Sequence, residues 1–194
     1  MGSDAGTGMA NRERTDAKRM ETLCAPQEGI LLSLTALDPM TCPENRDRRK
    51  KGFAVDGKIG DIVSPVGGTV ISLHTGGNAV SIQSDKGVEL LVRVGGRMPD
   101  VKDSVHVYAE RGSHVAVGQR LFHADLDRIR RAGGRTACVV LLQGQEENGV
   151  VEEKREPGGT VRAGFSPVMT VWVDDKSVQG GQEANVMPKS GQIL

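Results

Sequence analysis

Between residues 22 and 173, apolar positions recur with period two rather than 3.6. They fall in short runs broken by Gly, Pro and Asp about every eight to twelve residues. The pattern predicts strands at Ile30–Leu34, Phe53–Val55, Thr69–Leu73, Ala79–Gln83, Val88–Val94, Val105–Tyr108, Leu121–His123, Ala137–Leu142, Thr160–Arg162 and Val168–Val173. Breakers fill the gaps, among them Gly67-Gly68, Gly76-Gly77, Asp85-Lys86-Gly87, Gly95-Gly96 and Gly158-Gly159. Helical spacing occurs at Asp125–Arg131, where Leu126, Ile129 and Arg130 are spaced to cover a surface for about two turns before Gly133 stops the helix. Many short strands joined by glycine-rich turns predict a single all-β barrel-sandwich domain with little helix.

The flanks lack this pattern. Residues 1–21 are polar and glycine-rich and are expected to form a disordered N-terminal tail; residues 174–194 are expected to form a flexible C-terminal tail. The folded domain is therefore placed at 22–173.

Composition narrows the function classes. Aromatic residues are 3% of the chain, so the core must be built from Val, Leu and Ile. Twenty-five basic residues balance 25 acidic ones, which disfavours nucleic acid as partner. The basic cluster Arg46, Arg48, Arg49, Lys50, Lys51 reads as a solvated loop. Cys24, Cys42 and Cys138 are an odd set without CxxC spacing, as expected of reduced thiols in a cytoplasmic protein. The N-terminus has no apolar core for a signal peptide, and Gly6 stands where a myristoylation motif needs Ser or Thr. No apolar run approaches the roughly 18 residues of a membrane span. No GxGxxG or GxxxxGK(S/T) context exists, so no nucleotide loop is expected.

The stretch Gly52 to Gly96 carries a recognisable order of motifs. Phe53-Ala54-Val55 leads to Ile62-Val63-Ser64-Pro65-Val66, then Gly68-Thr69-Val70, then Ser84-Asp85 before Gly87-Val88-Glu89-Leu90-Leu91-Val92. Ala25-Pro26 with Gly29, Gly112 with Val115 and Gly118, and Ser166-Pro167-Val168 flank it. This order resembles the glucose-type IIA component (EIIA-Glc) of the bacterial phosphoenolpyruvate-dependent sugar phosphotransferase system, over about Leu23 to Val173. The resemblance implies the barrel-sandwich, or duplicated hybrid motif, fold of that family. It also implies a concave face on which one histidine accepts a phosphoryl group from the carrier HPr while a second supports the ring.

By the same resemblance those two positions hold Asn78 and Arg93, and an acidic position near the site falls close to Arg97. An amide nitrogen whose lone pair is delocalised into its carbonyl is no nucleophile, and a guanidinium stays protonated. Phosphoryl relay needs an imidazole nitrogen. The expectation is a non-phosphorylatable, IIA-like pseudoenzyme that works by binding, with Leu91, Arg93, Arg97 and His74 meeting a protein partner. That partner would be a phosphotransferase component or a regulated enzyme. No cofactor and no metal site is expected.

Two other readings stay open: an active phosphocarrier in which His74 accepts the group, and a diverged structural domain with an unrelated partner. His106, His114 and His123 read as structural or surface residues. Features shared with other barrel-sandwich proteins are weak. His74 and Asn78 echo half of a lysostaphin-type zinc pair but no H-x-H follows, and Lys86 imitates a lipoyl-domain lysine while reading as an ordinary turn residue.

Overall fold

The computed structural model describes residues 18–37, 50–95, 104–144 and 150–174. In chain order the strands are β1 (Lys18–Cys24), β2 (Gly29–Ser33), β3 (Gly52–Gly57), β4 (Asp61–Val63), β5 (Gly68–Leu73), β6 (Ala79–Ser84) and β7 (Glu89–Val94). They continue with β8 (Val105–Val107), β9 (His114–Val115), β10 (Arg120–Ala124), β11 (Cys138–Gln143), β12 (Val150–Glu153), β13 (Thr160–Val161) and β14 (Pro167–Asp174). A 3₁₀ turn covers Leu34–Ala36, and one short helix, α1, covers Leu126–Arg131. Asp125, read as the first helical residue from the sequence, instead caps α1 by accepting the Arg128 N–H.

The strands form an eight-stranded sheet, in the order β13-β2-β3-β11-β7-β6-β5-β9, and two three-stranded sheets, β1-β14-β12 and β4-β10-β8. All pairings are antiparallel. The architecture is all-β as the alternation predicts, and the sheets remain open rather than closing into a barrel. Among the described residues, no helix is long and apolar enough to cross a membrane.

Alternation decides what each strand buries. On β6, β7 and β11, one side of the large sheet carries Val80, Ile82, Leu90, Val92, Val94, Cys138, Val140 and Leu142. These meet Leu23 of β1, Ile62 of β4, Leu121 and Phe122 of β10, and Val171 of β14 in the main core. The opposite side of the same strands carries Ala79, Leu91, Val139 and Leu141, joined by Ala54, by Leu34 of the 3₁₀ turn and by Leu37 that caps it. The centre of the large sheet is thus buried on both faces, which is why β7 and β11 read as nearly continuous apolar runs.

The structure moves the domain edges. β1 begins at Lys18, inside the segment expected to be tail, and pairs with β14 from Lys18↔Asp174 to Leu23↔Met169. Residues 18–21 (KRME) carry three charges, so no apolar alternation announced a strand; β14 supplies the hydrogen bonds that make it one. Asp174 likewise belongs to β14 rather than to a tail. Strands β4, β9 and β12 went unread because they are two to four residues long, or in β12 end in Glu152-Glu153. The rest of both expected tails lies outside the described residues, as do Cys42 and most of the basic cluster at 46–51.

Candidate functional site

The face expected to carry function lies on the second side of the large sheet. Two rows of residues cross it. One runs Ala79–Arg93–Val139–Ala54–Leu32 over β6, β7, β11, β3 and β2. The next runs Ser81–Leu91–Leu141–Gly52. Arg93 therefore rises from a floor of small apolar side chains, half-buried between Ala79 and Val139.

Asn78 sits just before β6 and is tied to β7 twice. Its Nδ2 donates to the Val94 carbonyl at 3.0 Å, and the Val94 N–H donates to the Asn78 carbonyl at 2.9 Å. Asn78 is thus pinned against Val94, next to the Ala79–Arg93 pair, at one end of the β6–β7 hairpin and fifteen places before Arg93 in the chain. The turn that delivers Asn78 is tight. His74 donates its N–H to the Ala79 carbonyl at 3.0 Å and accepts the Gly77 N–H at 2.8 Å. Gly77 adopts φ of +71°, a left-handed conformation that favours glycine.

His74 is exposed on this face, its Nε2 3.4 Å from Ser81 Oγ, a long and weak contact. Leu91 behaves differently from expectation. It is only 8% exposed, packed in the cluster with Ala79, Val139 and Leu141, so it offers a partner little apolar surface. Arg97 lies outside the described residues. Beyond the Arg93 row, the same face opens into a cavity of 390 Å³ where Leu32, Leu37 and Ala137 meet Asp56, Arg135 and Thr136.

The other histidines find partners that sequence distance concealed. His114 Nε2 lies 3.0 Å from Asp85 Oδ1, and His123 Nδ1 lies 2.8 Å from Asp61 Oδ1. Arg120 holds the second Asp61 oxygen at 3.3 Å. These acids are 29 and 62 residues from their histidines, so only strand pairing could reveal them. Among the described residues no three His, Cys, Asp or Glu side chains are grouped to hold a metal. Lys86 donates to the Met20 carbonyl at 2.8 Å and lies 3.9 Å from Glu21, tied to β1 as a turn lysine. Cys138 is fully buried and burial pushes its thiol pKa up; Cys24 is raised by burial first and by Glu21 second.

Comparison with known proteins gives a consistent result. The family model described as phosphoenolpyruvate-dependent sugar phosphotransferase system, EIIA 1, matches residues 21–148. The glucose-specific EIIA component of Halalkalibacterium halodurans is 26% identical over 165 residues, covering 81% of this chain and 94% of that protein. The glucose-specific EIICBA component of Streptococcus pneumoniae is 41% identical over 92 residues, which is 47% of this chain and 13% of that much longer protein. Among solved structures, the glucose permease IIA from Mycoplasma capricolum superposes with a TM-score of 0.61 at 19% identity, covering 78% of this chain and 96% of that one. That likeness speaks for the fold alone.

Proposed function

From the premise that this chain belongs to the EIIA 1 family of the phosphoenolpyruvate-dependent sugar phosphotransferase system, we propose that it is a IIA-type module that binds and regulates without carrying phosphate. The observation that supports this reading is the pair Asn78 and Arg93. They stand next to each other at the end of the β6–β7 hairpin, where the motif resemblance expects two imidazoles. An amide already donating to the Val94 carbonyl offers no nucleophilic lone pair, and a guanidinium offers none at any ordinary pH.

The face that remains is a docking surface with altered charge. Small apolar residues form its floor, Arg93 its charged centre, and His74 one exposed edge. The positive charge of Arg93 favours carboxylate or phosphate groups on a partner through its field. The partner is therefore an acidic or phosphorylated protein in the cytoplasm, a phosphotransferase component or a regulated enzyme. Carriers of the HPr type, which present basic residues to this face, are disfavoured by like charge.

The test is radiolabel transfer from phosphoenolpyruvate through enzyme I and HPr. No acid-labile label is expected on the chain. Stoichiometric label would overturn the reading, and label abolished by His74→Ala would establish the active-carrier alternative in its place. A captured partner whose association slows with Arg93→Glu, and weakens with added salt, supports docking at this face. Equal binding of both proteins at low salt would move the interface elsewhere.

A further inference from the structure

On the small β4-β10-β8 sheet, a cavity of 380 Å³ is lined by Lys58, Ser104, His106, His123, Asp125 and Asp127. We propose that this cavity is a second ligand site, separate from the Arg93 face, built for a small phosphorylated polyol.

The register places the key groups. Asp61, His123 and His106 form one row across β4, β10 and β8. At 2.8 Å from His123 Nδ1, the Asp61 carboxylate can only accept, so Nδ1 carries the proton that joins them. That bond fixes the ring and leaves Nε2 as its working nitrogen, while Arg120 holds the other Asp61 oxygen at 3.3 Å. The His106 ring is held edge-on to Tyr108, with centroids 4.7 Å apart. Imidazoles anchored in this way are prepared to meet a ligand without reordering.

Ser104 supplies the independent pointer to a ligand. It is 3% exposed, and its Oγ is buried with no hydrogen-bond partner among the described residues. A buried hydroxyl left unpaired is a standing cost, and rotation about χ1 toward a ligand oxygen in the cavity would remove it.

The charges divide by role. Asp125 Oδ1 accepts the Arg128 N–H at 2.8 Å and Asp127 Oδ1 accepts from Arg130 Nη1 at 2.8 Å. Each carboxylate keeps a second oxygen able to accept from ligand hydroxyls. The Lys58 ammonium and the Ser104 hydroxyl form the donor side, suited to a phosphate, while His123 Nε2 accepts from a ligand hydroxyl. Donors beside carboxylates in one polar cavity favour a ligand with both a phosphate and hydroxyl groups. The volume lies within the roughly 300–1,000 Å³ range of small-molecule sites.

The experiment is calorimetric titration of the full chain with glycerol phosphate, inorganic phosphate and glycerol. Glycerol phosphate should bind saturably, inorganic phosphate about tenfold more weakly, and glycerol not measurably, the tenfold steps reflecting single charge-assisted hydrogen bonds. Lys58→Ala and His123→Ala, both at exposed positions, should each weaken glycerol phosphate about tenfold. Ser104→Ala should weaken binding without lowering the melting temperature, because it removes a hydroxyl that has no hydrogen-bond partner among the described residues. Arg93→Glu should leave binding unchanged, which keeps this outcome separate from that of the docking face. Absence of saturable binding, or affinity indifferent to both Lys58→Ala and His123→Ala, overturns the site. Equal affinity for inorganic phosphate and glycerol phosphate overturns the role given to the two carboxylates.

Discussion

Restoring imidazole to both hairpin positions, Asn78→His with Arg93→His, should convert the chain from a non-acceptor into a phosphoryl acceptor. The structure allows the exchange at modest cost. The backbone bond from Val94 N–H to the Asn78 carbonyl, and the Ala79↔Arg93 register, do not depend on either side chain. The exchange gives up at least the Asn78 Nδ2 bond to the Val94 carbonyl, worth about 1 kcal/mol, and part of the half-buried Arg93 stem, worth about another 1 kcal/mol. A loss of about 2 kcal/mol corresponds to a fall of roughly 4–8 °C in melting temperature for a chain of this size. The assay is label transfer through enzyme I and HPr, run beside thermal melts of both proteins. Wild type should stay unlabelled and the double variant should take up label that is lost in acid. If the double variant folds but stays unlabelled, this hairpin end is not the family's acceptor site, and the reasoning from Asn78 and Arg93 fails.

Other outcomes follow from packing and burial. Leu23→Ala should destabilise the domain by about 2–5 kcal/mol in urea melts, because Leu23 of β1 is fully buried; a loss under about 1 kcal/mol would refute the place given to β1 in the core. Burial raises the Cys138 thiol in the folded chain above its ordinary 9.0, so its contribution to stability is complete below that pH and is lost as pH rises through and beyond it. The gap in urea midpoint between wild type and Cys138→Ala should therefore narrow above about pH 9, and a constant gap would contradict this. Gly60→Ala should cost at least about 2 kcal/mol, since a Cβ there would overlap the Ala124 carbonyl that flanks β10; an unchanged melting temperature would show that the β4–β10 approach is looser than described.

The strands most legible in the sequence were those where both faces are covered or cleanly alternating. AVSIQ, VELLVRV and ACVVLL announced β6, β7 and β11, and the helix at 126–131 showed its Leu126–Ile129 spacing. Period and turn chemistry are local, so residues within one strand suffice to state them. The order of motifs from Phe53 to Val92 likewise pointed to the family.

Tertiary structure decided the rest, because it depends on which strands become neighbours. β1 is a strand because β14 pairs with it, though KRME has no apolar alternation. Leu91 is buried rather than offered to a partner because the 3₁₀ turn and β11 bring Leu34, Leu37 and Leu141 into its cluster. The Asp61–His123 pair spans 62 residues and exists because β10 lies between β4 and β8. The unpaired hydroxyl of Ser104 could not be read at all, since whether a serine finds a hydrogen bond among the described residues is a property of its surroundings and not of its place in the chain.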